Sequence, residues 1–337
     1  MRFEGRGIWI VPAESWGPEP KVGERKLNHD LDLLKRAGFN FVIPLAKDTS
    51  GKAGYHSEIM ASHTFKEWDP IEVATRQAHK LGMKIYPWLC VFSEGEKNPD
   101  DVLRSHDDWA VVDARGKKWG FGDPAKPDVR SYGTSIALEI LGNYNVDGLM
   151  LDYTRYPGPD FCYCDYCCGK FKEQYGVSPK DLPKSGELRE KWDAWRREQV
   201  TSFVKELSDQ LHRAKPGAEL GSYCWTTGSL YNVYQDWPAW ARRGYLDLIT
   251  PSGYVYDMDL FRSICLHIMI AVSKVVPTYV TIGVETSHGK LRKGEVAQQI
   301  RISREEGLDG VTLFHWESVK KFLPEIRRAF SRSGSAR

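Results

Sequence analysis

The sequence predicts a single (β/α)8 barrel that spans residues 1–337 as one domain. Short apolar or β-rich runs alternate with longer amphipathic stretches almost to the C-terminus, as in a parallel sheet with crossover helices. There are eight such runs, and the chain has room for the roughly 250 residues of a barrel plus insertions. No internal repeat, linker or low-complexity segment divides it.

The eight predicted strands are near-continuous apolar runs, which is typical of strands buried on both faces of a sheet. They are residues 7–12, 39–45, 83–91, 146–152, 219–225, 245–251, 278–285 and 309–315. A doubly wound open sheet is the alternative, but it would usually have fewer strands and a glycine-rich turn after the first strand. Here the glycines of GRGIWI precede that strand.

The stretches between the runs have helical patterns, and several of them end in a glycine with a strand close behind. These glycines are Gly38, Gly82, Gly244 and Gly307. Two connections are long: residues 92–126 follow the third strand, and the cysteine-containing insertion 153–187 follows the fourth. Both would leave the C-terminal face of the barrel, where long loops shape a substrate cleft.

Composition narrows the class of partner. A net charge of +2 without long runs of one sign predicts neither nucleic acid nor an anionic membrane as partner, and no apolar run is long enough for a membrane span. Twelve Trp and sixteen Tyr are many for this length, and aromatic faces can stack on sugars.

The opening MRFEGRGIWI has no signal-peptide pattern, so we expect a cytoplasmic protein or a secreted one whose leader is absent from this chain. The sequence leaves the oligomeric state open.

The strongest local signal is VDGLMLDYTRYPGPD at residues 146–160. Its apolar run ends abruptly at Asp152, which is followed by Arg155 and Tyr156. A carboxylate at the C-terminal tip of a barrel strand, among Arg and Tyr donors, is well placed to act on an electrophilic carbon. The alternative is that Asp152 pairs with Arg155 merely to brace the loop.

Glycoside hydrolysis needs a second carboxyl group across the anomeric carbon. Glu285 closes the seventh predicted strand and would face the same mouth, so it is the predicted general acid/base. Glu317, Glu14 and Asp48 follow the eighth, first and second strands and are the alternatives.

Aromatic residues stand at several predicted strand ends and predict sugar platforms, although each could instead be barrel packing. They are Trp9, Trp88, Trp225 and Trp316, with Tyr254 just past the sixth strand. His315, beside Trp316, could donate to a sugar hydroxyl or be a structural histidine.

Cysteines Cys162, Cys164, Cys167 and Cys168 form a C-x-C-x-x-C-C pattern just after the fourth strand. Three or four thiolates this close can supply most of a tetrahedral zinc site, so Cys162, Cys164 and Cys167 are candidate ligands of a structural zinc ion. Free or locally disulfide-bonded thiols are the alternative. The sequence has no His-x-His or His-Glu-x-x-His pattern, so we expect no catalytic metal and no cofactor for catalysis.

Most of the chain resembles the glycoside-hydrolase-like TIM barrels of the glycosyl hydrolase-like family ten type. The resemblance begins with RGIWI at 6–10, AGFNFV at 37–42 and YHSEI at 55–59, continues through 68–89, 192–200 and 235–254, and ends with LDGVTLFHW. Its most specific stretch is DPAKPDVRSY leading into YNVDGLMLDYTRYP. The resemblance implies a (β/α)8 fold and carbohydrate hydrolysis, with Asp152 in the site.

The prediction is therefore a glycosidase that cleaves an oligo- or polysaccharide with retention of configuration. Asp152 would be the ionised nucleophile, and Glu285 would be the acid/base with a raised pKa. Arg155 and Tyr254 would orient these groups. A carbohydrate-binding barrel without hydrolytic activity is the second hypothesis. A metal-dependent hydrolase ranks last, because His315 is the only histidine at a predicted strand end.

Overall fold

Eight parallel strands form a nearly closed barrel in the computed structural model, which describes residues 4–331 except 97, 98, 100 and 273. The strands are Gly5–Ile10, Phe41–Lys47, Lys84–Ile85 continued by Trp88–Cys90, Gly148–Asp152, Glu219–Cys224, Leu248–Pro251, Tyr279–Gly283 and Gly310–Phe314. Each pairs with its sequence neighbour, and the eighth pairs with the first. Two isolated bridges, Ile249 with Thr278 and Ser252 with Thr281, join the sixth strand to the seventh. The predicted (β/α)8 fold is confirmed.

The observed strand bounds differ from the predicted ones by up to three residues, and the third, sixth and seventh strands show how. The third is interrupted at Tyr86 and Pro87, since proline has no N–H to donate to a ladder. The sixth begins only at Leu248, although the backbone N–H of the preceding Asp247 already donates to the carbonyl of Leu220 in the fifth strand. The seventh ends at Gly283, so Glu285 lies beyond the barrel.

Helices surround the barrel. They are Pro12–Ser15, Pro20–Ala37, Pro70–Lys80, Asp101–Ser105, Pro127–Asn143, Asp165–Tyr175, Glu187–Ala214, Ser229–Asn232, Trp237–Arg242, Met258–Val272, Glu295–Glu305, Trp316–Val319 and Leu323–Ser331. Short 3₁₀ turns lie at Asp107–Trp109, Pro179–Asp181 and Lys320–Phe322. No helix within the described residues has both the length and the apolar character to cross a membrane.

The local chemistry of the sequence explains where these helices begin and end. The side chain of Glu19 accepts from the backbone N–H of Val22 at the start of Pro20–Ala37, and Gly38 ends that helix with φ 96°. The other three glycines predicted to follow helices also have left-handed backbones, with φ of 61° at Gly82, 71° at Gly244 and 80° at Gly307. Glycine tolerates this conformation without a Cβ clash.

Apolar side chains fill both faces of the strands. One cluster packs the strands against the helices, and a smaller one fills the barrel interior around Trp9, Ile43, Trp88 and Met150. Both predicted long loops follow the third and fourth strands. The first carries a small hairpin of Ala110–Val112 and Lys118–Gly122.

Candidate active site

A cavity of about 660 Å³ opens at the C-terminal mouth of the barrel. It lies within the size range of small-ligand sites. Six of the predicted site residues line it: Trp9, Trp88, Asp152, Arg155, Trp225 and Tyr254. The sequence reasoning missed other lining residues, among them Tyr153, Tyr223, Phe314, Thr286, Ser287 and His288.

Asp152 is the last residue of the fourth strand and the centre of this cavity's polar chemistry. Its Oδ2 accepts a hydrogen bond from Trp88 Nε1 at 3.1 Å, and its Oδ1 accepts from the backbone N–H of Tyr153 at 2.6 Å. Only 8% of the residue is exposed. Burial raises the pKa of Asp152 to about 6, although the Tyr153 N–H, the Arg155 charge and the Trp88 N–H each act to lower it.

The backbone immediately after Asp152 is constrained. Tyr153 has φ 50°, a left-handed conformation that is uncommon for a bulky residue. Such residues persist only where the surroundings hold them, and they concentrate at functional sites. This turn brings the ring of Tyr153 to the cavity wall and aims its N–H at the Asp152 carboxyl.

Arg155 places a positive charge on the cavity wall, close to the turn at Tyr153. Its guanidinium carbon lies 4.6 Å from the ring centre of Tyr153 and 5.0 Å from that of Trp225. Its Nη1 donates to the backbone carbonyl of Tyr156 at 3.1 Å. No hydrogen bond joins Arg155 to Asp152 within the described residues, so the alternative interpretation, a loop-bracing pair, has no direct contact to support it.

Much of the cavity lining is aromatic. The ring of Tyr254 lies 5.8 Å from that of Tyr223 and 5.7 Å from that of Phe314, while Trp9 contacts Trp88 at 5.1 Å in an edge-to-face arrangement. These rings support one another and leave apolar surface facing the cavity. Aromatic surface of this kind suits the C–H faces of sugars.

Two predicted platform or donor residues lie away from the cavity. Trp316 is fully buried, and its Nε1 donates to Asp30 at 2.7 Å. Tyr156 is also fully buried, and its hydroxyl donates to Asp123 Oδ1 at 3.4 Å. Both rings point into the packing behind the cavity wall, so neither is available to a sugar in this structure.

His315 is also outside the described lining of the cavity, and its Nδ1 lies 3.8 Å from Glu14 Oε2. The histidine that lines the mouth is His288, in the turn of the small hairpin Glu285–Thr286 with Gly289–Lys290. Sequence reasoning passed over His288 because it follows the seventh strand by several residues rather than ending it.

Each predicted second carboxyl group lies outside the described lining of the cavity. The side chain of Glu285 is 51% exposed and lies 3.5 Å from Lys321 Nζ, although the next residue, Thr286, lines the cavity. The carboxylate of Glu317 pairs with Lys320 at 2.7 Å. The other two carboxyl groups also contact residues outside the cavity lining. Glu14 lies near His315, and Asp48 accepts hydrogen bonds from the backbone N–H groups of Ser50 and Lys52 in its own turn.

Replacing Trp88 by Phe tests the hydrogen bond to Asp152. Trp88→Phe removes an N–H that favours the charged carboxylate, so we expect the pKa of Asp152, read from the pH dependence of kcat/KM, to rise by about one unit. Trp9→Phe is the matched control, since the Trp9 N–H donates to Thr312 Oγ1 and not to Asp152. An equal shift in both variants would contradict this role for Trp88.

The cysteine cluster lies behind the cavity wall and includes a residue that the sequence did not point to. One ligand atom from each of Asp123, Cys162, Cys164 and Cys167 lies within 4.8 Å of the others, and all four residues are buried. Cys168 is also buried but is not part of this group. Burial raises the pKa of Asp123 to about 7.

Comparison with known proteins gives a consistent family. The sequence model described as "Glycosyl hydrolase-like 10" matches residues 4–292. Glycosyl hydrolase DigH of Escherichia coli K12 is 25% identical over 304 residues, which cover 74% of this chain and 65% of DigH. Glycosyl hydrolase YngK of Bacillus subtilis is 23% identical over 296 residues, which cover 74% of this chain and 54% of YngK. The chain therefore spans less than two thirds of the length of either relative.

Solved structures show the same fold. The PgaB (BpsB) glycoside hydrolase domain from Bordetella bronchiseptica superposes with a TM-score of 0.78 at 13% identity, covering 98% of this chain and 100% of that domain. The β-galactosidase from Rahnella sp. R3 superposes with a TM-score of 0.75 at 16% identity, covering 98% of this chain and 56% of the enzyme. At these identities the likeness is one of fold.

Proposed function

Since the chain belongs to the glycosyl hydrolase-like 10 family, we propose that it is a glycoside hydrolase whose scissile bond lies in the cavity beside Asp152. One observation carries this proposal: a buried carboxyl group at the C-terminal tip of a barrel strand, held by two N–H donors, faces a cavity with aromatic walls. This is where barrel enzymes place catalytic groups. The family supports a carbohydrate-active barrel, and the reaction itself is our proposal.

Asp152 is proposed as the proton donor to the leaving oxygen, which exchanges the two roles predicted from the sequence. A carboxyl group whose pKa burial raises to about 6 keeps part of its population protonated near neutral pH. General acids in glycosidases need such a raised pKa, whereas a nucleophile must stay ionised. Burial thus favours the acid role for Asp152.

Glu285 remains the proposed second carboxyl, on the ground that Thr286 beside it lines the cavity. It would attack the anomeric carbon or activate a water, according to its separation from Asp152. The retaining outcome requires a separation of about 5–5.5 Å, while an inverting enzyme needs about 6.5–9.5 Å. The anomeric configuration of the first product, followed by NMR, distinguishes the two.

The lining residues favour a sugar substrate in three ways. The rings of Tyr223, Tyr254 and Trp225 offer stacking surface, and Arg155, beside Trp225, offers a planar set of N–H donors. Hydroxyl side chains such as Thr286 add partners for sugar hydroxyls. We propose an oligo- or polysaccharide as substrate. Hydrolysis by two carboxyl groups needs no cofactor, so any metal in the cysteine cluster would serve structure and not the reaction.

A carbohydrate-binding barrel without hydrolytic activity is the second candidate. It is favoured by one observation: among the described residues that line the cavity, Asp152 is the only carboxylate. Such a protein would keep the aromatic walls and bind sugars without cleaving them.

Incubation with a panel of neutral and amino-sugar oligosaccharides, with reducing ends and binding heat measured together, separates the two candidates. We expect new reducing ends from at least one oligosaccharide that binds. Asp209→Asn controls for the loss of a carboxylate far from the proposed chemistry. It removes an exposed carboxylate on the outer helix Glu187–Ala214 and should leave turnover unchanged. Saturable binding with no new reducing ends on any member would favour the binding protein and contradict the hydrolase.

A further inference from the structure

We propose that Asp123, Cys162, Cys164 and Cys167 bind one structural zinc ion, which joins the two long loops behind the cavity wall. The proposal goes beyond the hydrolase function, since it concerns a different set of residues and holds whether or not the barrel cleaves sugars. The sequence supplied three of these ligands, and the fold supplies the fourth.

The four ligands come from two separate loops. Asp123 directly follows the hairpin strand Lys118–Gly122, in the loop after the third barrel strand. Cys162 and Cys164 lie in the loop after the fourth, and Cys167 lies in the first turn of helix Asp165–Tyr175. An ion held by all four would therefore cross-link two loops that already contact each other, for example through the bridge between Asp113 and Phe161.

The separations fit a tetrahedral ion with sulfur and oxygen ligands. Tetrahedral zinc with bonds of about 2.0–2.3 Å places its ligand atoms roughly 3.3–3.8 Å apart. Here all four ligand atoms lie within 4.8 Å of one another. Asp123 Oδ2 is 3.2 Å from Cys164 Sγ and 3.0 Å from Cys167 Sγ. Small movements of the side chains would therefore complete the site.

The surroundings already hold the ligand groups in the orientations that an ion needs. The Oδ1 atom of Asp123 accepts from the backbone N–H of Ala125 at 3.0 Å and from the Tyr156 hydroxyl at 3.4 Å, so the other oxygen, Oδ2, faces the thiols. Tyr156, predicted from the sequence as a donor beside Asp152, is thus a positioning residue for Asp123. Hydrogen bonds from such outer partners fix the ligands of protein metal sites.

Backbone N–H groups point at two of the sulfurs. The N–H of Val112 donates to Cys162 Sγ at 3.2 Å, and that of Cys167 donates to Cys164 Sγ at 3.4 Å. These donors would stabilise the negative charge left when the thiols give up their protons to bind the ion. A set of three sulfurs and one carboxylate selects zinc over magnesium or calcium, which prefer all-oxygen ligands.

The ion would have a structural role and not a catalytic one. With four protein ligands in a buried cluster, the site has no open position for water or substrate, which is the mark of a structural zinc. It would still influence the cavity through the hairpin. Phe121 lies two residues before Asp123, and its ring is 6.1 Å from that of Tyr153 and 5.9 Å from the Arg155 guanidinium.

The test is the zinc content of the tag-free full chain, purified without chelator and measured by elemental analysis. We expect about one zinc ion per chain, as for other closed four-ligand sites. Cys164→Ser and Asp123→Ala should each lose most of it. Cys168→Ser is the matched control, because it removes a neighbouring buried thiol that lies outside the cluster, and it should retain the full amount.

Cobalt substitution gives a second readout that does not depend on whether Cys164→Ser and Asp123→Ala fold. Apoprotein reloaded with cobalt should show the absorption of a tetrahedral thiolate complex in the wild-type chain and in Cys168→Ser. A metal-free wild-type chain with all three thiols free, or with a disulfide between two of them by mass spectrometry, would overturn the proposal. So would equal zinc in Cys164→Ser and the wild type.

Discussion

Asp152→Asn is expected to lower kcat by about 10²- to 10⁴-fold, the usual contribution of a positioned general acid. The amide keeps the size of the carboxyl but has no proton to give to a leaving oxygen. Because the aromatic walls and Arg155 stay in place, binding of the oligosaccharide should change little. The measurement is steady-state turnover with calorimetric binding on the same substrate. Unchanged turnover would exclude Asp152 from the reaction.

The pH dependence of the wild-type chain belongs to the same prediction. With the pKa of Asp152 raised to about 6 by burial, the protonated acid is lost above that pH, so kcat/KM should fall on the alkaline side with a midpoint near 6. If Asp152 were the nucleophile instead, kcat/KM would fall on the acid side of that midpoint. The side of pH 6 on which kcat/KM falls therefore distinguishes the acid from the nucleophile.

The same group should affect the free energy of unfolding. Its pKa is higher in the folded state than the 3.8 of an ordinary Asp, so the folded chain binds the proton more tightly. The stabilisation this provides is fully present below about pH 4 and is lost as the pH rises through about 6, amounting to roughly 3 kcal/mol at most. Asp152→Asn should lack this pH-dependent loss, and denaturant unfolding at pH 4 and pH 8 measures it.

Arg155→Met is expected to raise KM by about 10- to 100-fold, because hydrogen bonds from a charged donor contribute about 1.5–3 kcal/mol. The guanidinium lies against the rings of Tyr153 and Trp225 and donates to the carbonyl of Tyr156, so its orientation is set before a sugar arrives. Methionine keeps the length of the side chain without the charge. The variant should also shift the midpoint of the alkaline fall in kcat/KM to higher pH, since the Arg155 charge lowers the pKa of Asp152.

Arg155→Lys is the control for charge alone. Lysine restores the positive charge but not the planar donors that stack between two rings. We expect it to return the midpoint of that fall toward that of the wild type while KM stays high. If Arg155→Met bound and turned over substrate as the wild type does, Arg155 would have no part in recognition.

The fold could be predicted because the signals for it are local. Apolar runs of strand length and the glycines after the helices are properties of short segments, and both were confirmed. Asp152 and Trp88 could be placed at the barrel mouth for the same reason, since the end of a parallel strand fixes where its last side chains lie. The burial of Asp152, on which its proposed role as an acid rests, depends on the whole barrel and could not be predicted from the apolar run alone.

The residues that sequence reasoning placed differently lie just beyond strand ends, where the loop sets the direction of the side chain. Trp316 begins a short helix and points into the packing, and Tyr156 turns toward Asp123. Glu285 lies in a small hairpin past the seventh strand. Asp123 was missed because it is remote in sequence from the cysteines and only folding brings it among them. The useful signal would have been its place in DPAKPDVRSY, the most specific stretch of the family resemblance.

A crystal structure of Asp152→Asn with a bound oligosaccharide tests the central claim most directly. We predict that a glycosidic oxygen lies about 2.6–3.2 Å from the side chain at position 152, within reach of proton transfer. We also predict sugar rings stacked on the aromatic walls. A sugar bound elsewhere on the barrel, or one whose glycosidic oxygens all lie beyond hydrogen-bond reach of position 152, would contradict this claim.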